Sequence, residues 1–450
     1  MAQTGWVRTT QAHSLTPRLR EARVHTDRLF EMIRPDALYE RPIPERHRLI
    51  FYLGHLEAFD WNLLSSQKAD LRSPQPAFDQ LFAFGIDPVD GGLPTDGPQD
   101  WPSIAEVRSY KEETRQRIDT VLETGELEEH GKPPETGLST LLQVAMEHRW
   151  MHAETLAYLF HRVTYEQKRA QVQAIVEGSG AQAGMVSIPR GCATLGRRRE
   201  EGFGWDNEFG LHRVDVPEFL IDKFMVTNGQ YLEFVLARGY DNRSFWKEQD
   251  WDWIQSRQIR HPAFWQSRGE DWTWRGMFEE LELPLDWPVY VSYAEASAYA
   301  RWAGKTLPTE AQWHRAAYGT ANGAEQENLW GNEGTIKGIG NFDFLRWDPA
   351  PVDAFEGNVS ALGVAGTVGN GWEWTSSEFR PFPGFKAFPF YPGYSANFFD
   401  GQHFVLKGGS SRTAAPLLRR SFRNWFQPHY QYAYTGFRCV ASHENQRAAL

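Results

Sequence analysis

The stretch that decides the fold is LLQVAMEHRWMHAETLAYLFHRV, residues Leu141 to Val163. Its apolar residues recur at the i, i+3, i+4 and i+7 spacing of one helix face, and it contains no glycine or proline. His148 and His152 are one helical turn apart, so their rings project from that same apolar face. Two imidazoles placed in this way can chelate one transition-metal ion. The stretch therefore predicts a helix that carries part of a metal site.

The alternative interpretation is that both histidines are ordinary core residues. A core histidine is usually satisfied by hydrogen bonds, and most helical pairs with this spacing bind no metal. Imidazoles without partners on an apolar face would cost free energy, whereas a metal ion would satisfy both rings. These residues alone leave both interpretations open.

Composition bounds the class of protein. A length of 450 residues suggests two or three domains. The formal net charge of −11 argues against a nucleic-acid partner, which would need a concentrated basic surface. The two cysteines, Cys192 and Cys439, exclude a disulfide scaffold and cysteine-rich metal motifs. No apolar run reaches the roughly 18 residues of a membrane span, and the N-terminus lacks a signal-peptide core. We therefore expect a soluble, cytoplasmic protein without a membrane partner.

The N-terminal third predicts a four-helix bundle. Helices are expected over Thr16–Ile33, Glu45–Ser65, Ser103–Glu123 and the opening stretch, with a long loop from Ser73 to Pro102. Bundles of this kind build metal sites from side chains that face their interior.

The second predicted helix offers a third metal ligand. His55 lies on a largely apolar face and could meet His148 and His152 across the bundle core. His47, Glu57 and Asp60 are alternatives: a two-histidine, one-carboxylate set suits non-heme iron, and a three-histidine set suits zinc or iron. Glu154 is two residues beyond His152, about 200° around the helix, so we assign it a supporting role.

The character of the chain changes after residues 177–184, EGSGAQAG, which predict a flexible linker. The remainder is rich in glycine and tryptophan. Strands are expected at Val186–Pro189 and Phe219–Asp222, and short helices at Asn228–Ala237, Tyr293–Ala303 and Glu310–Tyr318.

This second part resembles formylglycine-generating-enzyme-type domains, whose fold is similar to that of a C-type lectin. The motifs that carry the resemblance occur in the family's order: Trp205-Asp-Asn-Glu208, Val226-Thr-Asn228, Gly304-Lys-Thr-Leu-Pro-Thr-Glu310, Gly369-Asn-Gly-Trp-Glu-Trp374, Lys407-Gly-Gly-Ser410 and Gly436-Phe-Arg-Cys439. Most of these residues are expected to be scaffold. Formylglycine-generating enzymes need a cysteine pair near the C-terminal segment, where this chain has Ser421-Phe-Arg-Asn-Trp-Phe-Gln-Pro428. That departure argues against their activity.

The order of the two domains resembles the iron-dependent sulfoxide synthases of ergothioneine biosynthesis, whose N-terminal part is a DinB-like bundle. The resemblance implies a mononuclear Fe(II) held by His55, His148 and His152, with O2 as co-substrate. That family joins the sulfur of cysteine or γ-glutamylcysteine to the imidazole C2 of hercynine (trimethylhistidine) and oxidises the product to a sulfoxide. The partners implied are these small molecules.

The prediction is thus an α+β multidomain protein. A DinB-like four-helix bundle occupies residues 1–176 and a linker residues 177–184. A C-type-lectin-like, formylglycine-generating-enzyme-type substrate-binding domain occupies residues 185–442, followed by a tail at residues 443–450.

The resemblance also assigns substrate contacts. Asn424 and Trp425 match the family's Asn-Trp pair, which would contact the hercynine carboxylate and trimethylammonium, the latter through the aromatic face. The alternative for Trp425 is simple packing. Arg420 and Arg423 are candidates to bind a carboxylate, with structural ion pairs as the alternative.

Two positions bear on the sulfur donor. Met151 and Phe426 stand where family members that use γ-glutamylcysteine have glutamine and aspartate, and residues 77–100 lack the arginines of those members. Losing these polar groups favours free cysteine. A selenosugar donor, giving selenoneine, is an alternative.

The resemblance also implies a catalytic tyrosine, which supplies a proton or an electron. Some family members carry it in the segment that gives Tyr391 and Tyr394 here, and others carry it in the N-terminal loop, where this chain has Phe82 and Phe84. Two further classes stay open: a zinc-dependent DinB-type thiol transferase or hydrolase, and a lectin-like binding module with a vestigial bundle.

Overall fold

The computed structural model describes residues 4–66, 71–84, 93–124, 136–171, 173, 176–180, 182–269, 271–328 and 338–441. The chain divides into two compact units, one formed by Met1–Gln171 with Phe388–Phe390 and the other by Val172–Ala387 with Tyr391–Leu450. The predicted tail, residues 443–450, lies outside the described residues.

The first unit is helical. Its helices are α1 (Thr4–Glu31), α2 (Leu49–Ser65), α3 (Pro76–Phe84), α4 (Ile104–Glu123) and α5 (Leu138–Arg162). Helix α1 packs against α5, and α2 packs against α3, α4 and α5. The four long helices confirm the predicted bundle, although α1 begins earlier than expected and continues through Pro17.

Helix α3 corrects the prediction of a continuous loop over Ser73–Pro102. It packs closely on α2 because Gly54 has no side chain: a Cβ there would lie 2.5 Å from the Phe82 ring. The Tyr110 hydroxyl of α4 also donates a hydrogen bond to the Asp79 carboxylate, at 2.8 Å. Tertiary contacts therefore hold a nine-residue helix that would be marginal in isolation.

The second unit combines short helices with short strands. Its helices are α6 (Asn228–Leu236), α7 (Glu248–Ser256), α8 (Tyr293–Trp302) and α9 (Glu310–Tyr318). Its strands are β1 (Met185–Ile188), β2 (Gly191–Leu195), β3 (His212–Val216), β4 (Phe219–Asp222), β5 (Trp265–Arg268), β6 (Asp271–Arg275), β7 (Glu280–Glu282), β8 (Trp372–Glu378), β9 (Phe404–Lys407), β10 (Asn424–Phe426), β11 (Thr435–Gly436) and β12 (Val440–Ala441).

The strands form several small sheets. Strands β1, β4 and β12 form one antiparallel sheet, β2 pairs with β3, and β5, β6 and β7 form a meander. A four-stranded sheet has the order β10-β9-β8-β11, in which β11 runs parallel to β8 and the other pairs are antiparallel. The predicted elements at residues 186–189, 219–222, 228–237, 293–303 and 310–318 are confirmed within one residue at each end. Helix α7 and strands β2, β3 and β5–β12 were not predicted.

Side chains from separate motifs meet in the core of this unit. The Glu373 carboxylate of β8 accepts hydrogen bonds from Trp313 Nε1 at 3.0 Å and from Arg438 Nε at 2.6 Å. Arg438 and Glu373 are buried, so each charge requires the other. These buried contacts join helix α9, strand β8 and the C-terminal part of the chain in the core of the unit.

Within the described residues, no helix is long and apolar enough to cross a membrane.

Candidate metal centre

Three imidazoles from two packed helices lie together in the first unit. His55 is on α2, and His148 and His152 are one turn apart on α5. Ring centroids are 5.2 Å apart for His55 and His148, 4.8 Å for His55 and His152, and 4.4 Å for His148 and His152. One nitrogen from each ring lies within 4.8 Å of the other two, close enough for a single ion.

These imidazoles are neutral at physiological pH. Burial lowers the pKa of His55 to about 4, although a hydrogen bond from its ring to the Phe82 backbone opposes that shift. Burial also lowers the pKa values of His148 and His152 well below their usual range, and the neighbouring imidazoles and Arg149 add to the effect. Neutral imidazole is the form that binds a metal, so burial keeps the three rings in the protonation state that coordination requires.

Hydrogen bonding distinguishes His55 from its partners. Its Nδ1 lies 2.7 Å from the Phe82 carbonyl oxygen, which can only accept, so Nδ1 carries the proton and Nε2 has the lone pair. The buried Nδ1 atoms of His148 and His152 have no hydrogen-bond partner among the described residues. The arrangement fits a metal site, with donor atoms that a transition metal would satisfy.

Aromatic side chains enclose the cluster. Phe59 stacks on His148, with centroids 3.5 Å apart and an interplanar angle of 9°, and Phe51 stacks on His55 at 4.7 Å. The ring centroids of Tyr52 and His152 are 5.7 Å apart. These rings fix the orientation of the imidazoles.

The carboxylates considered as alternative ligands are committed elsewhere. Arg149 Nη2 donates to Glu57 Oε2 at 2.6 Å, and Arg149 Nε donates to Asp60 Oδ2 at 2.8 Å. Arg115 also binds Glu57, at 2.7 Å. Burial opposes ionisation of Glu57, but the two guanidinium charges outweigh it and hold its pKa well below the usual range. The structure therefore favours the three-histidine set.

The predicted hercynine contacts lie on β10 in the second unit. Trp425 stacks on Phe379, with centroids 4.1 Å apart and an interplanar angle of 9°. It lies nearly perpendicular to the Tyr394 ring, with centroids 5.5 Å apart. The Asn424 side-chain oxygen accepts a hydrogen bond from the Trp425 amide at 2.9 Å. Phe426 stacks on Tyr430 at 4.8 Å. Asn424, Trp425 and Phe426 are all half-buried.

The two candidate tyrosines are neighbours. The rings of Tyr391 and Tyr394 are 5.5 Å apart, and Tyr394 stacks on Trp205 at 3.9 Å. Burial raises the pKa of Tyr391, and the negative charge of Asp206 adds to that shift. The phenol therefore keeps its proton at neutral pH.

The remaining predicted site residues differ in their surroundings. Arg423 is buried, with Nε 3.0 Å from Glu310 Oε1 and its guanidinium 4.0 Å from the Phe382 ring centroid. This geometry favours the structural ion pair over a substrate contact. Arg420 is partly exposed and lies 3.8 Å from Glu325. Met151 lies on α5, one residue before His152, and is partly exposed.

Comparison with known proteins identifies the family. The DinB superfamily matches residues 18–156, and the sulfatase-modifying factor enzyme 1-like domain matches residues 172–443. The hercynine oxygenase of Mycolicibacterium thermoresistibile is 33% identical to this chain over 96% of each protein. The chain belongs to the hercynine oxygenase family.

Other matches within this family are less extensive. The hercynine oxygenase of Mycobacterium tuberculosis is 41% identical over 53% of this chain and 56% of that protein. Ergothioneine biosynthesis protein 1 of Neurospora crassa is 28% identical over 91% of this chain and 55% of that protein. The chain thus aligns with little more than half the length of these two relatives. The family matches confirm the predicted order of a DinB-like bundle and a formylglycine-generating-enzyme-type domain.

Sequence reasoning missed two parts of the centre. The Phe82 carbonyl belongs to the unpredicted α3, although Pro76 with Phe78, Leu81 and Phe82 at helical spacing is a signal that could have found it. Arg149, between the two histidines of α5, could have been recognised as a partner for the buried acidic residues of α2.

Proposed function

We propose that this member of the hercynine oxygenase family is a non-heme Fe(II)- and O2-dependent sulfoxide synthase. It joins the imidazole C2 of hercynine to the sulfur of cysteine and yields hercynylcysteine sulfoxide, a step in ergothioneine biosynthesis. The observation that carries the proposal is the cluster of His55, His148 and His152, whose ligand atoms lie within 4.8 Å of one another.

The reaction balances with one O2. Hercynine loses the C2 hydrogen and cysteine loses the thiol hydrogen as the C–S bond forms. One oxygen atom goes to sulfur, and the other leaves as water. The two oxidations, C–S bond formation and sulfoxidation, remove four electrons, which is what O2 accepts.

The chain's own residues prepare this chemistry. Fe(II), when bound, would supply the redox capacity to reduce O2 and would favour the thiolate form of the donor. His55, His148 and His152 would hold the ion as neutral ligands. Three protein ligands leave other positions available, so the reactants can be brought together and much of the entropy of encounter is removed.

The second unit would bind hercynine. A quaternary ammonium has no hydrogen to donate, so an aromatic face such as that of Trp425 suits it. Trp425 is held by Phe379 in a parallel stack, with Tyr394 and Phe398 beside it, so aromatic rings surround the proposed binding position. Tyr391 and Tyr394 are the proposed proton or electron donors, since a phenol that keeps its proton can give it up during the reaction.

Cysteine is the proposed sulfur donor because the Phe426 side chain is occupied by an aromatic stack with Tyr430. An aromatic pair offers no charged group for the amine or carboxylate of a γ-glutamyl arm. Met151 likewise offers no hydrogen-bond donor.

The decisive experiment loads the full chain with Fe(II) without oxygen, adds hercynine and cysteine, admits air and weighs the products. Hercynylcysteine sulfoxide with one O2 consumed per product is the expected result. A parallel reaction with a selenosugar tests the selenoneine alternative. The His148→Asn variant serves as the metal-free control.

Failure to bind stoichiometric Fe(II) would contradict the proposal, as would an enzyme active only with zinc. Nitric oxide separates these cases, because a ferrous site gives a coloured nitrosyl adduct and a zinc site does not.

A further inference from the structure

One short turn of the second unit contacts two segments that take part in the proposed function. One segment leads to Asn424 and Trp425, and the other holds Tyr391 and Tyr394. Asp206–Glu208 form a buried 3-10 turn preceded by Trp205. The turn is closed by the Trp205 amide, which donates to Glu208 Oε1 at 2.8 Å. Glu208 contacts one of the two segments, and Asp206 and Trp205 contact the other.

Glu208 binds the segment that leads into β10. Its Oε2 accepts hydrogen bonds from Arg419 Nε at 2.8 Å and from Ser421 Oγ at 2.7 Å. Burial disfavours the charge of Glu208, but the Arg419 guanidinium outweighs it and holds the pKa below its ordinary value. Asn424 begins β10 three residues after Ser421, so the ionised Glu208 fixes the chain just before Asn424 and Trp425.

Asp206 and Trp205 bind the segment that holds Tyr391, Tyr394 and Ser395, which we call the tyrosine segment. Ser395 Oγ donates a hydrogen bond to Asp206 Oδ1, and both residues are fully buried. The indole of Trp205 stacks on Tyr394, the residue before Ser395, with an interplanar angle of 24°. The Tyr394 ring in turn lies nearly perpendicular to the Trp425 ring, with centroids 5.5 Å apart. The turn therefore joins the two segments through both polar and aromatic contacts.

We propose that Asp206 and Glu208 are positioning residues that hold the tyrosine segment and the Asn424–Trp425 strand in a fixed relation to each other. Glu208 acts on hercynine binding, and Asp206 acts on the catalytic step through the tyrosines. This assignment rests on the proposed function. A carboxylate with a scaffold role alone would lower stability without separating these two effects.

The test compares Glu208→Gln with Ser395→Ala in the Fe(II)-loaded full chain. Glu208→Gln keeps the side-chain volume and removes the charge, so we expect the KM for hercynine to rise about tenfold with little change in kcat. Ser395→Ala removes the bond to Asp206, and we expect kcat to fall about tenfold with an unchanged KM for hercynine. Asp348→Asn is the matched control, a buried carboxylate whose partners are Gln173 and the Met277 amide. It should alter neither parameter.

A second measurement does not depend on turnover. Protein labelled with 5-fluorotryptophan gives a fluorine resonance for Trp425, assigned by Trp425→Phe. Glu208→Gln should shift or broaden that resonance, and Asp348→Asn should not. If Glu208→Gln does not fold, Ser421→Ala replaces it, and a smaller rise in KM, of about threefold, is expected.

An unchanged KM and an unchanged Trp425 resonance in Glu208→Gln overturn the role of Glu208, and an unchanged kcat in Ser395→Ala overturns the role of Asp206. If the wild-type chain makes no product from hercynine, the proposed function fails, and the fluorine spectra alone decide whether Glu208 positions Trp425.

Discussion

The Nδ1–H of His55 on α2 donates a hydrogen bond to the carbonyl oxygen of Phe82 on α3, over 2.7 Å. Phe82 lies in the last turn of α3, where backbone carbonyls have no partner within the helix. The unsatisfied end of one helix thus fixes the tautomer of a side chain on another. Such outer partners orient metal-binding histidines and raise their basicity.

Gly54→Ala should weaken metal binding without touching a proposed ligand. Alanine favours the helix by about 1 kcal/mol, but its Cβ would lie 2.5 Å from the Phe82 ring and would displace α3. We expect Fe(II) affinity to fall about 10- to 100-fold, measured by anaerobic titration. The double variant Gly54→Ala/Phe82→Leu restores space and should recover much of the affinity. Equal affinity in Gly54→Ala and wild type would show that the His55–Phe82 bond is unimportant.

His152→Leu should stabilise the metal-free protein while abolishing iron binding. The buried Nδ1 of His152 has no hydrogen-bond partner among the described residues, so its removal should raise the free energy of unfolding by about 1 kcal/mol. His55→Leu is the matched comparison. It leaves the Phe82 carbonyl without its donor and should destabilise the protein. Urea unfolding of both variants after chelation measures the difference, and a loss of stability in His152→Leu would contradict the expectation.

The metal-free protein should lose stability as the pH falls from 6.5 towards 4. Because the pKa of His55 is about 4 in the folded state and near 6.5 in the unfolded state, only the unfolded state takes up this proton in that range. At pH 5 the loss from His55 is about 2 kcal/mol, and His148 and His152 act in the same direction. Unfolding curves at pH 5 and 7 test this. If the free energy of unfolding depends on pH as steeply in His55→Leu as in the wild type, the effect belongs to other groups.

Arg149→Met should be among the most damaging substitutions in the bundle. It leaves Glu57 and Asp60 close together in the interior without the cation between them, at a cost of about 3–5 kcal/mol. Adding Asp60→Asn should recover part of the loss, as measured by chemical denaturation. Arg190→Met, which removes an exposed partner of Asp215, is the control and should have no measurable effect. A mild phenotype for Arg149→Met would contradict this expectation and would mean that Arg115 and Arg23, the other cations beside these carboxylates, are sufficient to compensate their charges.

Sequence patterns predicted the long helices because their apolar periodicity extends over many turns. The stretch from Leu141 to Val163 became α5, with ends one or a few residues away from the expected ones. Helix α3 was missed because its apolar pattern is confined to nine residues, and its packing depends on the gap at Gly54, which is a tertiary feature.

The candidate metal centre was also predictable from the sequence only in part. The pairing of His148 with His152 follows from helix geometry, and the approach of His55 depends on how α2 packs on α5. The family resemblance favoured His55 over Glu57 as the third ligand. The structure gives a physical reason, because Arg149 pairs with the Glu57 carboxylate. The role of Arg423 could not be decided from sequence, since its partner Glu310 is remote in the chain.

The acceptor that orients His55 is a main-chain atom, which every residue at position 82 would provide. Substitution at that position therefore cannot delete the acceptor, and selection can alter it only by moving the helix to which it belongs. Over evolutionary time, the identity of the side chains around this histidine could drift widely while the direction of its lone pair stayed the same. The inheritance of this part of the site would then be visible as preserved helix spacing rather than as a preserved residue.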